Sequence, residues 1–423
     1  MLAAPRGDVN PIDTSRGVLD PRDMAETVAR SPRRHDVIVI GGGNGGMSLA
    51  ARLRKRGCPD VALIEPSAHH VYKPLQNYVA GGLARRDELV RAQTSLVPQG
   101  VRLYPSTAQR VDAGRREVML ADGTVLVAGD VVIACGAETD WESLPGARRA
   151  LRDGIACTSF ELEHVERTWD RIRALDRGTA VFTLHGQPAS GRETALKPLF
   201  LACDHWRRRG VLRDLRVVLV HDADRLHPVD EIAAAIRTAI DDYGVEVLAS
   251  TRVESIEQDT LAVDGPEGTA RIAADLIHLL PPYRAPAFVG ESGLAGEQTQ
   301  GFVDVDPRTL QHRDHPHIWA LGDAADLGDA RTGGALRHQV KTVVENIPRR
   351  RSGRPLLEYD GYTVAPITTS RRALVFGEYD SRTHRVMRTI PLLDPLRPRP
   401  WWLALDRWVL PQLYWHGIVR GRV

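Results

Sequence analysis

The stretch Val37-Ile38-Val39-Ile40-Gly41-Gly42-Gly43-Asn44-Gly45-Gly46 decides how this chain is read: four β-branched apolar residues run straight into a turn with glycine at 41, 43 and 46. A continuous apolar run of this kind suits a strand buried on both faces. The glycine spacing is that of a dinucleotide-binding turn. Gly41 allows a tight bend, Gly43 lets the backbone approach a pyrophosphate, and Gly46 lets the next helix sit close on the strand, with the phosphates at the helix N-terminus. The next apolar run, Val61-Ala62-Leu63-Ile64, ends in Glu65. That is roughly 20 residues past the turn, where a carboxylate can hold the adenosine ribose hydroxyls. A glycine-rich turn alone is common in purely structural settings, and the strand-turn-helix-strand context with Glu65 is what makes it a dinucleotide site. Far downstream, Ala320-Leu321-Gly322-Asp323 closes a second short apolar run. Together the two segments point to FAD.

The length of 423 residues gives room for two or three domains with substantial cores. A net charge of +2 speaks against a nucleic-acid partner. Four cysteines, Cys58, Cys135, Cys157 and Cys203, show neither CxxC spacing nor a secreted framework, so a reducing cytoplasm is the expected compartment. Arg33-Arg34 precedes an apolar run too short for an export signal and reads as the start of the first strand. No stretch reaches the roughly 18 apolar residues of a spanning helix.

Along the chain, residues 1–34 are rich in Pro, Arg and Asp and read as a flexible leader. A first α/β segment, 35–146, closes with the buried-strand pattern Val131 to Gly136. A middle segment, 147–280, alternates strands at Ala180–Leu184, Leu215–Val220 and Val245–Leu248 with helices at Ala195–Arg209 and Ile232–Tyr243, which implies a second parallel sheet. Residues 281–350 return to the first domain, with a helix from about Gly333 to Ile347, and 351–423 form an appendage for a quinone or membrane interface or for dimerisation. The expected class is α/β: two Rossmann-like dinucleotide-binding domains with a C-terminal α/β appendage.

Several shorter segments carry a resemblance: Ile64-Glu65-Pro66-Ser67, His70-Val71-Tyr72-Lys73-Pro74, Val303-Asp304-Val305-Asp306 with Thr309 to His312, Tyr359-Asp360-Gly361-Tyr362-Thr363, and Leu413-Tyr414-Trp415 with Arg420-Gly421. With them the chain resembles the sulfide:quinone oxidoreductases, a family of two-dinucleotide-domain flavoproteins, over nearly all of His35 to Arg422. The resemblance implies that Glu65 binds the adenosine ribose, that the backbone at Val111 meets the adenine, and that Lys73 replaces a glutamine common near the cofactor. It also implies that Gly322 and Asp323 bind the ribityl or pyrophosphate portion, and that Arg331 and Thr332 to Gln339 set a helix N-terminus against the pyrimidine edge of the ring, where the helix dipole favours the reduced anion.

The departure from that family lies in its chemistry. The family oxidises sulfide with two cysteines flanking the flavin; counted without gaps, those positions fall on Gly191, beside Ser190, and on Ala324. Neither glycine nor alanine can form a bridge for a nucleophile to open or a thiolate to attack the ring. Cys157 resembles an accessory cysteine of some members and is the remaining thiol candidate, whereas Cys203 reads as a packed helix residue, Cys135 as a small buried residue of the strand turn, and Cys58 as the end of a surface helix. After Leu184 the sequence His185-Gly186-Gln187-Pro188-Ala189-Ser190-Gly191 lacks a second glycine fingerprint, so reduction by a nicotinamide is disfavoured, although the following strand ends in His221-Asp222.

His69-His70, His312, His315 and His317 read as structural rather than as a metal site. By the resemblance His185 and His338 lie near the substrate or quinone side, with His338 the leading proton-transfer candidate. Pro400 to Leu410 combines tryptophans, aliphatics and Arg407 and is followed by Tyr414-Trp415 and the basic end Arg420-Gly421-Arg422, suiting either an interfacial anchor or a helix packed on the flavin domain or a sister subunit. The reading is an FAD-dependent oxidoreductase that takes electrons from a small sulfur compound or specialised metabolite directly at the flavin, with quinone, oxygen or a protein as acceptor. Its rivals are sulfide chemistry through Cys157 or an external thiol, and a non-catalytic flavin-binding or membrane-docking protein.

Overall fold

The computed structural model describes residues 33–184, 192–390 and 393–423. The first strand, β1 (Arg33–Ile40), starts two residues before the expected boundary at His35, because Arg33 and Arg34 extend its ladder to Leu126 and Val127. The leader, as well as His185, Ser190 and Gly191, lies otherwise outside the described residues.

β1 leads through the glycine turn into α1 (Asn44–Lys55) and β2 (Val61–Ile64). After the short helix α2 (Gln76–Ala80) come β3 (Val101–Tyr104), β4 (Ala108–Asp112), β5 (Glu117–Leu120) and β6 (Val125–Ile133). The second unit contains β7 (Ala156–Cys157), β8 (Gly178–Leu184), α3 (Leu196–Arg209), β9 (Leu215–His221), α4 (Asp230–Tyr243), β10 (Glu246–Leu248) and β11 (Leu276–His278). Then β12 (Ile318–Ala320) and α5 (Ala335–Arg351) rejoin the first unit, and β13 (Tyr362–Ser370), β14 (Ala373–Asp380) and α6 (Leu410–His416) belong to the appendage.

The first sheet runs β3-β2-β1-β6-β5-β4, with β12 added beside β6. Strands β3, β2, β1, β6 and β12 are parallel, and β5 and β4 turn back antiparallel. Its central strands are buried on both faces, as the unbroken apolar run at Val37–Ile40 requires. The second sheet, β7-β11-β8-β9-β10, is parallel throughout. The fold is thus α/β with two parallel-sheet units.

α5 is tied to the first sheet through Asp130 of β6, which is fully buried and accepts hydrogen bonds from Trp319 Nε1 and from the guanidinium groups of Arg350 and Arg351. In the appendage, β13 and β14 form an antiparallel pair whose inner face (Ala365, Ile367, Tyr379) joins the core around α3 and α4. Trp402 and Trp415 are buried, Trp402 stacking on Phe376 at 5.6 Å, and only Trp401, Trp408 and Val409 of the aromatic stretch stand about half exposed. Of the two readings the sequence left open, packing on the protein holds for Trp402 and Trp415, since composition alone does not say which indoles find a partner. Among the described residues no helix is long and apolar enough to cross a membrane.

Candidate flavin site

Each glycine of the turn does a separate task. Gly41 has φ +100°, a left-handed conformation that L side chains rarely adopt, and a Cβ there would overlap the backbone of Cys135. A Cβ on Gly46 would overlap the carbonyl oxygen of Gly41, so this glycine sets how closely α1 approaches β1. A Cβ on Gly43 would meet nothing within 4 Å among the described residues, and Gly43 is exposed. The turn is thus close-packed beneath and open above, as a backbone cradle for a pyrophosphate at the N-terminus of a 12-residue helix must be.

Glu65 sits at the edge of that opening. Its Oε2 accepts the N–H of Gly42 at 2.7 Å and its Oε1 the N–H of Ser67 at 2.7 Å, so the carboxylate is oriented by backbone before any ribose arrives. Two groups that sequence reasoning missed hold the turn from behind. His70 Nδ1 lies 3.0 Å and Gln93 Nε2 2.9 Å from the Gly42 carbonyl oxygen, and both side chains are buried. His70 also reaches Tyr414 of α6 through Nε2, and Tyr414 lies against Tyr72 with ring centroids 4.3 Å apart. The signal for His70 was its place in the His70-Val71-Tyr72 segment; nothing local marks Gln93.

The second segment meets the first at the head of α5. Gly322 N donates to Gln339 Oε1 at 2.9 Å, and Gln339 Nε2 donates to the Ala330 carbonyl, which fixes the 310 turn Gly322–Ala324 against α5. Thr332 Oγ1 accepts Ala335 N and lies 2.9 Å from Thr363 Oγ1. Arg331 is buried and turned inward: it donates to the Ala325 carbonyl and Asp326 and lies over the Phe302 ring at 4.1 Å. Asp323 is half-buried, and its charge reaches Tyr283. Lys73 opens a 310 turn and is exposed, while the Val111 N–H, which the resemblance assigns to adenine, donates to Ser292 Oγ at 2.9 Å. His338 Nδ1 lies 2.7 Å from Asp360 Oδ2, and its ring stacks on Tyr362 at 4.5 Å.

The thiols are poorly placed for redox work. Cys157 is fully buried on β7, bonded to the Ile277 carbonyl, and burial pushes its pKa up to about 11. Cys203 is buried in the second core and its thiol is also pushed up by burial. Cys135, expected to be buried, is exposed beside the glycine turn, its backbone against Gly41. Cys58 follows the end of α1, and burial raises its thiol pKa as well. Ala324 is fully buried. Among the described residues no group of His, Cys, Asp and Glu is arranged to hold a metal ion; His70 and His312 face backbone carbonyls instead.

A parallel sheet with a glycine turn, an oriented ribose carboxylate and a Gly-Asp turn locked to a returning helix defines a dinucleotide-binding flavoprotein, and its residues fit FAD at the diphosphate and ribose end. The match of residues 35–348 to the pyridine nucleotide-disulphide oxidoreductase model makes it a member of that family. Mitochondrial sulfide:quinone oxidoreductases from Dictyostelium discoideum and Mus musculus are each 27% identical to it, over 91% and 92% of this chain and 86% and 87% of theirs. The crystal structure of the sulfide:quinone oxidoreductase from Aquifex aeolicus superimposes with a TM-score of 0.78 at 16% identity, covering 92% of each chain. The chain is an FAD-dependent oxidoreductase of sulfide:quinone oxidoreductase type.

Proposed function

We propose that this protein passes electrons from a small sulfur compound or other small metabolite to a quinone at its flavin, without a protein disulfide. The observation that carries the reading is the buried Ala324 immediately after Gly322-Asp323, where the resemblance puts a redox cysteine. Of the remaining described thiols, Cys157 and Cys203 are held protonated by burial in a packed strand and a packed helix, and Cys135 is a lone thiol beside the glycine turn with no second cysteine to bridge. FAD, when bound, supplies two-electron acceptance without a protein thiol.

The chain's own groups supply the rest. Gly43 and α1 would hold the diphosphate, and Glu65 the ribose. The N-terminus of α5 would lend its positive end to the reduced ring. His338, oriented by Asp360 and backed by Tyr362, is the group we assign to proton transfer at the acceptor side. The nicotinamide route is disfavoured: Lys197, in the first turn of α3, is buried in a 2.6 Å pair with Asp406 from the appendage. The half-exposed Trp401, Trp408 and Val409 suit contact with the inner face of the cell membrane, where a quinone is met.

The test follows the two half-reactions by flavin absorbance without oxygen. Photoreduced protein should reoxidise rapidly with a short-chain quinone, and oxidised protein should stay yellow with NADH. Reoxidation by oxygen alone, or fast bleaching by NADH, would sink this reading.

A further inference from the structure

Arg337 lies in the first turn of α5 and is half-buried, and its guanidinium has no hydrogen-bond or ion-pair partner among the described residues. Other arginines in and before this helix behave otherwise: Arg331 is committed to Ala325, Asp326 and Phe302, and Arg350 and Arg351 at its far end converge on Asp130. A cation partly withdrawn from water without a counter-charge is costly, which invites a ligand that brings one.

Its surroundings say which ligand. Arg337 lines a narrow cleft together with Asn44, Ser48 and Arg52 of α1 and Leu336 and Val340 of α5. Asn44 directly follows Gly43, where a Cβ would meet open space, so the cleft adjoins the cradle. Two further elements feel the same cation. Burial pushes the phenols of Tyr72 and Tyr362 up, and Arg337 pulls against that shift in both. Neither phenol answers the guanidinium with a bond; that of Tyr362 donates to Glu378. The cation thus stands against α1, with the phenols of Tyr72 and of Tyr362 on β13 within reach of its charge.

We infer that Arg337 is a diphosphate-binding residue, the counter-charge to the pyrophosphate of FAD. It closes from the α5 side a site that the α1 N-terminus opens from the other. The inference rests on the flavin reading above and adds to it a residue that neither glycine turn nor ribose carboxylate implies. Because a guanidinium donates two parallel bonds to a phosphate and an ammonium does not, lysine should replace it only in part.

The test uses the full chain stripped of flavin and titrated with FAD, ADP and riboflavin, by flavin fluorescence and by displacement. Arg337→Ala should weaken FAD and ADP by roughly 10- to 100-fold and leave riboflavin, which has no phosphate, unchanged. Arg337→Lys should recover part of the loss, and its unaltered thermal unfolding would show that the fold is intact. Equal weakening of all three ligands, weakening of riboflavin alone, or no change in any would each overturn the inference. Failure of the unsubstituted protein to bind FAD would instead refute the flavin reading beneath it.

Discussion

In the first parallel unit β1 runs through Gly41–Gly46 into α1 and leaves open space above Gly43, whereas in the second unit β8 leads to α3, whose second residue, Lys197, is locked to Asp406. Both are strands feeding helices in parallel sheets. The first helix starts beneath open space at Gly43, while the second commits a first-turn side chain to a buried ion pair. Lys197 is 1% and Asp406 3% exposed, and Tyr78 from α2 donates to the same Asp406 oxygen at 2.6 Å. These contacts tie the second unit, the first unit and the appendage into one knot. A helix N-terminus favours an anion only when the protein leaves room for one, so the same architecture yields a binding site in one unit and a structural joint in the other.

Substitutions can break that contrast. Gly46→Val should be the most damaging, since the new side chain meets the Gly41 carbonyl; we expect loss of retained flavin and destabilisation by about 4 kcal/mol or more, read from denaturant unfolding. Lys197→Met strands Asp406 as an uncompensated buried charge and should cost about 3–5 kcal/mol, with the loss largely restored by adding Asp406→Leu. The folded fraction of the Lys197→Met variant, with or without Asp406→Leu, should keep its FAD affinity, and loss of that affinity would mean the second unit does hold cofactor.

The second unit also predicts a pH response. His278 is fully buried between β7 and β8, and burial lowers its pKa to about 3. The unfolded chain therefore binds one more proton than the folded chain between about pH 6.5 and 3, and stability must fall as pH falls through that window. By pH 5 this group alone should remove about 2 kcal/mol, and His278→Phe should flatten the profile. In the first unit, Glu65→Gln removes an ionised acceptor and should weaken FAD about tenfold with little change in unfolding, the smallest effect of the series.

Much of the first unit was legible because its signals are local. A left-handed φ at Gly41, a forbidden Cβ at Gly46 and a carboxylate after β2 are properties of short segments, and the α/β class follows from unbroken apolar runs. What was hidden is what comes from afar. His70 and Gln93 gather on the Gly42 carbonyl from 28 and 51 residues away, and Asp406 reaches Lys197 across 209. The appendage stayed open between anchor and packed helix for the same reason: only with Phe376 and Tyr72 beside them are Trp402 and Trp415 seen to pack inward. Cys157 looked available in sequence because a two-residue strand, too short to show a pattern, buries it.

The central claim is that flavin chemistry here proceeds without a protein sulfur bridge, and sulfide tests it most directly. Oxidised protein, mixed without oxygen with excess sulfide, should keep its flavin absorbance on the timescale in which a short-chain quinone reoxidises the photoreduced form. Rapid bleaching by sulfide, abolished when the cysteines are alkylated, would show that a thiol of this chain still does the work and would contradict the account.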